Sequence, residues 1–200
     1  PTPSWAFQKK TININFLRKK KIKNYFLYPA NFWEHKNHLN LIKGFCIFNE
    51  KHNNKYQLVL VGNIVDKNIY KKIDNLIKEK KIQSSVKILG YVARPNLLEL
   101  YDSCIALTYL SVSGPENLPP LESFARGKPV LHSNFKGAKE QLNNFPVYVN
   151  YRDPNSIALG MKKIIKKNKF SKTYKKFSKS KSTKNYISKI NKSLIKFGNK

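Results

Sequence analysis

Two hundred residues, 40% of them hydrophobic, allow one substantial core or at most two small ones. No apolar run is long enough to span a bilayer and the opening does not read as a signal peptide, so a soluble chain is expected and an integral membrane protein is set aside. The formal net charge of +28 points to polyanions, but 35 lysines against four arginines do not suit base or phosphate readout, and specific nucleic-acid binding is not expected.

Residues 1–24 begin Pro-Thr-Pro rather than with Met, which suggests part of a longer chain, and end in the basic run from Arg18 to Lys23. Without long periodicity they read as a connector leading into a domain. From Tyr25, apolar runs alternate with amphipathic segments. Tyr25 to Ala30 is the first predicted strand, and His35 to about Phe48 a helix burying Leu39, Ile42, Phe45 and Cys46. Leu58 to Val61 is a second strand, Ile69, Ile73, Leu76 and Ile77 mark one face of a helix, and Val86 to Leu89 is a third strand closed by Gly90-Tyr91. A short helix over Pro95 to Tyr101 leads to a fourth strand, Ile105 to Leu110. A fifth strand is expected at Lys128 to Leu131, a short helix at Ala138 to Leu142, a sixth strand at Val147 to Val149, and a helix through Ile157, Met161, Ile164 and Ile165. Continuous apolar strands alternating with helices predict an α/β domain over residues 25–168, with a Rossmann-like doubly wound parallel sheet.

Residues 169–200 are lysine-rich, yet Tyr186, Ile190 and Leu194 keep helical spacing, so a surface-packed helical tail is expected. The charge sits in the flanks. Residues 1–23 carry seven basic groups and residues 162–200 fifteen lysines, with no acid in either, while residues 24–161 hold 17 basic and 11 acidic groups, a net of +6. A coding bias toward Lys, Asn and Ile accounts for such flanks. Cys46 and Cys104 lie in apolar runs without a C-x-x-C pair and read as buried thiols.

The densest signal runs from Ser113 to Asn134, S-G-P-E-N-L-P-P-L-E-S-F-A-R-G-K-P-V-L-H-S-N. It reads as a loop, a short helix and a buried strand. Asn117 suits the N-cap, Pro119 and Pro120 suit the first turn, Glu122 falls in or beside that turn, and Gly127 is a natural stop. A loop feeding a helix start beside a strand end favours an anion, so this corner is the candidate phosphate and nucleotide site. Glu122 is either an acid placed at a helix's positive end or a carboxylate accepting hydrogen bonds from a ribose diol.

G-P-E-N-L-P-P-L-E-S-F-A-R-G-K-P-V resembles the E-x7-E segment of the family-four glycosyltransferases, and Tyr28 to His38, Y-P-A-N-F-W-E-H-K-N-H, is similar to the opening of their donor-binding domain. The likeness covers about Tyr25 to Asn168. It implies the C-terminal half of a GT-B fold, in which residues 1–24 join two domains and the tail crosses back to the other one. It further implies a retaining glycosyltransferase of hexosyltransferase type that takes a nucleotide-diphosphate sugar and a glycan, lipid-linked or other acceptor, with a missing N-terminal domain holding that acceptor. No metal and no other cofactor are expected.

In that likeness Lys36 contacts the diphosphate and Glu122 the ribose, while Gly90, Tyr91 and Val92 hold the base through their backbone. Asn31 stands near the place of a family Arg, and offers a hydrogen bond without the charge. Counting back from Glu122, the family's first acid falls on Gly114; Glu116 is a candidate to replace it from a differently placed loop. Because the prolines lack N–H groups, an amide cradle would use Asn117, Leu118 or Leu121. Glu140 sits where many relatives carry an acid, and a surface helix explains it equally. His35 and His38 form an H-x-x-H pair without supporting ligands, so no metal site is expected. No G-x-G-x-x-G follows a strand, which counts against a nicotinamide dehydrogenase. The alternatives are a GT-B-like sugar-nucleotide epimerase and a basic polyanion-binding module. A cytoplasmic location is expected, and the basic tail leaves room for peripheral contact at the inner face of a membrane.

Overall fold

The computed structural model describes residues 2–8, 15–112, 118–166, 171–182, 185 and 188. The apolar runs become strands because they are covered on both faces, as a parallel sheet requires. These strands are β1 (Tyr25–Pro29), β2 (Gln57–Val61), β3 (Val86–Ile88), β4 (Ala106–Tyr109), β5 (Val130–Ser133) and β6 (Val147–Val149). They form one sheet in the order β3-β2-β1-β4-β5-β6, with every neighbouring pair parallel. The doubly wound α/β reading holds. β4 and β5 are buried along their whole length, and Phe26, Leu27, Leu58, Val59, Leu107 and Leu131 form the centre of the core.

The helices are α1 (Asn15–Lys19), α2 (His38–Glu50), α3 (Lys67–Glu79), α4 (Arg94–Ser103), α5 (Leu118–Ala125), α6 (Lys136–Leu142), α7 (Pro154–Lys166) and α8 (Ser171–Ser180). α2 packs on α3 and α7, while α1 meets α4, and α8 meets α5. The stop at Gly127 is as expected: with φ at 74°, its N–H reaches Phe124 O at 2.9 Å and Lys128 N–H reaches Ser123 O at 2.9 Å, the paired bonds of a Schellman ending.

Three expectations need correction. Lys36 is not at the start of a helix but in a 3₁₀ turn, Glu34–Lys36, and α2 begins at His38. The left-handed Asn37, with φ at 58°, separates the two. The fifth strand starts at Val130 rather than Lys128, because residues 126–128 are spent on the helix ending. Finally, the packed body extends past residue 168. Tyr174 of α8 stacks on Phe124 at 5.0 Å and Phe177 stacks on Phe145 at 4.2 Å, so both are buried. Tyr186, Ile190 and Leu194 lie outside the described residues.

The chain's two flanks also meet on α5. Thr2 N–H donates to Lys181 O at 2.8 Å, the Thr2 hydroxyl to Ser178 O at 3.2 Å, and the Ser178 hydroxyl to Leu121 O at 2.8 Å.

Close approach at the strand ends depends on Gly62. A Cβ there would stand 2.3 Å from Ala30 O, with φ at 152°. Gly62→Ala is therefore expected to cost about 1–3 kcal/mol, as overpacking in a rigid site does. Urea denaturation measures it, and an unchanged midpoint would show that the strand ends can part without penalty.

Candidate functional site

The strand order reverses between β1 and β4, and in such sheets the crevice beyond the carboxyl ends at this point is where ligands bind. The loops after the first four strands are laced together there. Ala30 N–H donates to Val61 O at 2.8 Å, Phe32 N–H to Asn63 O at 3.0 Å, Gly62 N–H to Gly90 O at 2.9 Å, and Val112 N–H to His35 O at 2.9 Å. Each backbone bond fixes one loop against its neighbour, so side chains at the crevice rest on a continuous rim.

Lys36 is carried on this rim. The Tyr28 hydroxyl donates to Lys36 O at 2.5 Å, which holds the turn. The Lys36 ammonium donates to Ser111 Oγ at 3.2 Å and to Tyr109 Oη at 3.4 Å, and it lies 5.6 Å from the centre of the Tyr109 ring. Partial burial pushes its pKa below the ordinary lysine value. A cation held by neutral hydroxyls and half withdrawn from water keeps its charge available to an anion.

Glu122, on α5, is buried and only 7% exposed. Its Oε2 accepts from the Tyr101 hydroxyl at 2.7 Å. Burial raises its pKa, opposed by the Tyr101 hydrogen bond and by the charge of Arg94. Glu122 in turn helps raise Tyr109: burial chiefly, then the Glu122 charge, pushes that phenol up to about 12. Tyr109 thus accepts from Lys36 and feels the charge of Glu122. Among the described residues Lys36 and Glu122 do not form an ion pair with each other.

Four other predicted residues, Asn31, Gly90, Tyr91 and Val92, sit on the loops of this rim. Asn31 Oδ1 accepts from Asn63 N–H at 2.9 Å, so Asn31 ties the first loop to the second. Gly90 has φ at 66°, which suits glycine, and its carbonyl is already occupied by Gly62 N–H. Tyr91 is 75% exposed and Val92 is buried. Leu118 opens α5, at a position whose amide has no partner within the helix itself, whereas in a helix starting there the Leu121 amide begins the intrahelical bonding. Glu116, Asn117 and Gly114 lie outside the described residues. Glu140 is exposed on α6.

The two histidines of the H-x-x-H pair do not converge. His35 is exposed and lies 6.4 Å from the Trp33 ring, while His38 is buried, stacked on Phe32 at 4.7 Å, with burial taking its pKa down to about 3. Sequence reasoning missed Tyr28, Tyr101, Tyr109 and Ser111. The available signal was position: Tyr109 ends a central strand and Ser111 follows it.

The comparisons with known proteins agree with this architecture. The family described as Glycosyl transferases group 1 matches residues 9–182. The O-antigen chain mannosyltransferase RfbU of Salmonella typhimurium is 29% identical over 150 residues, covering 75% of this chain and 41% of that protein. An uncharacterized glycosyltransferase of Methanocaldococcus jannaschii, MJ1607, is 29% identical over 58% of this chain and 29% of its own length. The chain thus spans less than half of either relative. Among solved structures, Anabaena Alr3699/HepE in complex with UDP and glucose superposes with a TM-score of 0.81 at 16% identity, over 96% of this chain and 54% of that one. A glycosyltransferase from Rickettsia africae gives 0.72 at 20% identity, over 88% and 47%. At these identities the structures share the fold. By the family match over most of its length, the chain belongs to the glycosyl transferases group 1.

Proposed function

We propose that this chain is the donor-binding part of a retaining glycosyltransferase, of hexosyltransferase type, that uses a nucleotide-diphosphate sugar. The observation that carries the reading lies at the switch point: a half-buried ammonium, Lys36, on the loop after β1 and a buried carboxylate, Glu122, on the helix after β4, each bonded to a tyrosine hydroxyl. Lys36 would neutralise the departing diphosphate, assisted by the amide of Leu118 at the start of α5. Glu122 would accept hydrogen bonds from the ribose hydroxyls and so fix the anomeric carbon in the crevice. Asn31 would offer an uncharged hydrogen bond beside the diphosphate, Gly90, Tyr91 and Val92 would hold the base through their backbone, and Glu116 is the candidate acid for the donor sugar. In this scheme the positive charge comes from the protein and no metal is required. That HepE was crystallised with UDP supports the choice of ligand class.

The acceptor, a glycan, lipid-linked or other, would be held by a second, N-terminal domain, because the chain spans only 41% of RfbU and 54% of the HepE chain. The isolated chain is then expected to bind nucleotide and to transfer nothing. No helix among the described residues is long and apolar enough to cross a membrane. The exposed lysines of α8 would favour peripheral contact at the inner face of a membrane, consistent with a cytoplasmic enzyme.

The test is Lys36→Ala, titrated calorimetrically with UDP, GDP and ADP and with the matching nucleosides. Loss of a charge-assisted phosphate contact is expected to weaken the diphosphate that binds best by about tenfold and to leave its nucleoside unchanged. Equal affinities in the folded variant and the parent chain would remove Lys36 from the diphosphate site.

A further inference from the structure

Glu122 is buried on α5, which packs on α8, and a carboxylate on a rotatable side chain would not by itself hold a fixed orientation. Tyr101 supplies the constraint. It lies in α4, fully buried as part of the hydrophobic core, with its hydroxyl 2.7 Å from Glu122 Oε2. The neighbouring pair reinforces the alignment: Asp102 follows Tyr101, Arg126 follows Glu122 by one helical turn, and Arg126 Nε donates to Asp102 Oδ1 at 2.7 Å. The two helices are thereby registered so that phenol and carboxyl face each other.

We infer that Tyr101 is a positioning residue for the nucleotide site, holding Glu122 by one oxygen so that the other is turned toward the ribose. The inference rests on the reading of Glu122 given above. A tyrosine hydroxyl has one proton to donate, and donating it to Glu122 Oε2 leaves Oε1 as the acceptor that a ligand hydroxyl can use. The same bond favours the ionised carboxylate, which burial alone disfavours. Tyr101 would touch no substrate atom.

The experiment compares the parent chain with Tyr101→Phe and Glu122→Gln, each confirmed folded by circular dichroism. Among UDP, GDP and ADP the one bound best is used, together with its 2′-deoxy counterpart, across pH 5 to 9. Tyr101→Phe is expected to lose about tenfold in affinity for the ribonucleotide and little for the deoxynucleotide. Part of the loss should return as pH rises, since the carboxyl without its donor ionises at higher pH; Glu122→Gln should show no such recovery. A purely structural tyrosine would weaken both nucleotides alike and leave the pH profile in place.

An unchanged preference and unchanged pH profile in Tyr101→Phe, with Glu122→Gln impaired, would overturn the role of Tyr101 and leave Glu122 standing. Full ribonucleotide affinity in Glu122→Gln, or no heat from the folded parent chain with any of the three, would remove the reading of Glu122 and this inference with it. Should Tyr101→Phe not fold, ¹³C titration of the carboxyl of Glu122 in Tyr101→3-fluorotyrosine decides. The more acidic phenol is a better donor and is expected to lower the Glu122 pKa; no displacement would overturn the proposal.

Discussion

Replacing Glu122 by Gln is expected to weaken nucleotide binding by at least about tenfold while making the protein more stable at neutral and alkaline pH. The two effects have one origin. The carboxylate is kept where burial disfavours its charge, and its pKa is raised above the ordinary carboxylate value. For an acid raised on folding, the folded state binds the proton more tightly than the unfolded state. Stability is therefore unaffected below the unfolded pKa, falls as pH rises between the two pKa values, and carries the full penalty above the folded one. Gln keeps the acceptor for Tyr101 and has nothing to titrate. The variant should thus match the parent chain near pH 4 and exceed it at pH 8, as read by thermal unfolding followed by circular dichroism. Binding moves the other way, because an amide oxygen is a weaker acceptor for a ribose hydroxyl than a carboxylate oxygen. A variant that binds as well as the parent chain and is no more stable at pH 8 would falsify the view that this acid is held ionised for a ligand.

The sequence made the scaffold readable because burial on both faces writes itself as uninterrupted apolar runs. Val147 to Val149 was read at its observed limits, and Gly127 marked the end of α5 because only its left-handed conformation allows the paired terminal bonds. The position of Lys36 relative to its helix was not readable, since it depends on Asn37 adopting a left-handed backbone that no periodicity reports. Tyr101 and Glu122 are 21 residues apart, and Lys36 and Ser111 are 75 apart, so the partners of both charged groups are set by strand order alone. α8 was underrated for a different reason. Its four lysines mask two aromatic residues, Tyr174 and Phe177, that fill a hollow between Phe124 and Phe145.

Arg126→Met is expected to be the most destabilising single change, at about 3–5 kcal/mol, the usual result of stranding one member of a buried ion pair. The side chains of Arg126 and Asp102 are only 6% and 9% exposed. The guanidinium grips Asp102 with two nitrogens, and its remaining nitrogen donates to Gln8 O at 2.5 Å and Ala6 O at 3.4 Å. One side chain therefore joins α4, α5 and the N-terminal segment. Removing it leaves a buried carboxylate and two carbonyl oxygens without their donor, and water must enter or the segment must lift. A second change, Asp102→Leu, separates these contributions. If the stranded charge dominates, the double variant should recover most of the loss in urea denaturation, since a buried pair is often replaced by apolar residues at little cost. If the segment's anchoring dominates, the double variant should stay destabilised, and residues 2–8 should become cleavable by protease in both variants. Because Asp102 adjoins Tyr101 and Arg126 lies one turn from Glu122, recovery of stability without recovery of nucleotide affinity would show that this ion pair serves the alignment of the site more than the strength of the fold.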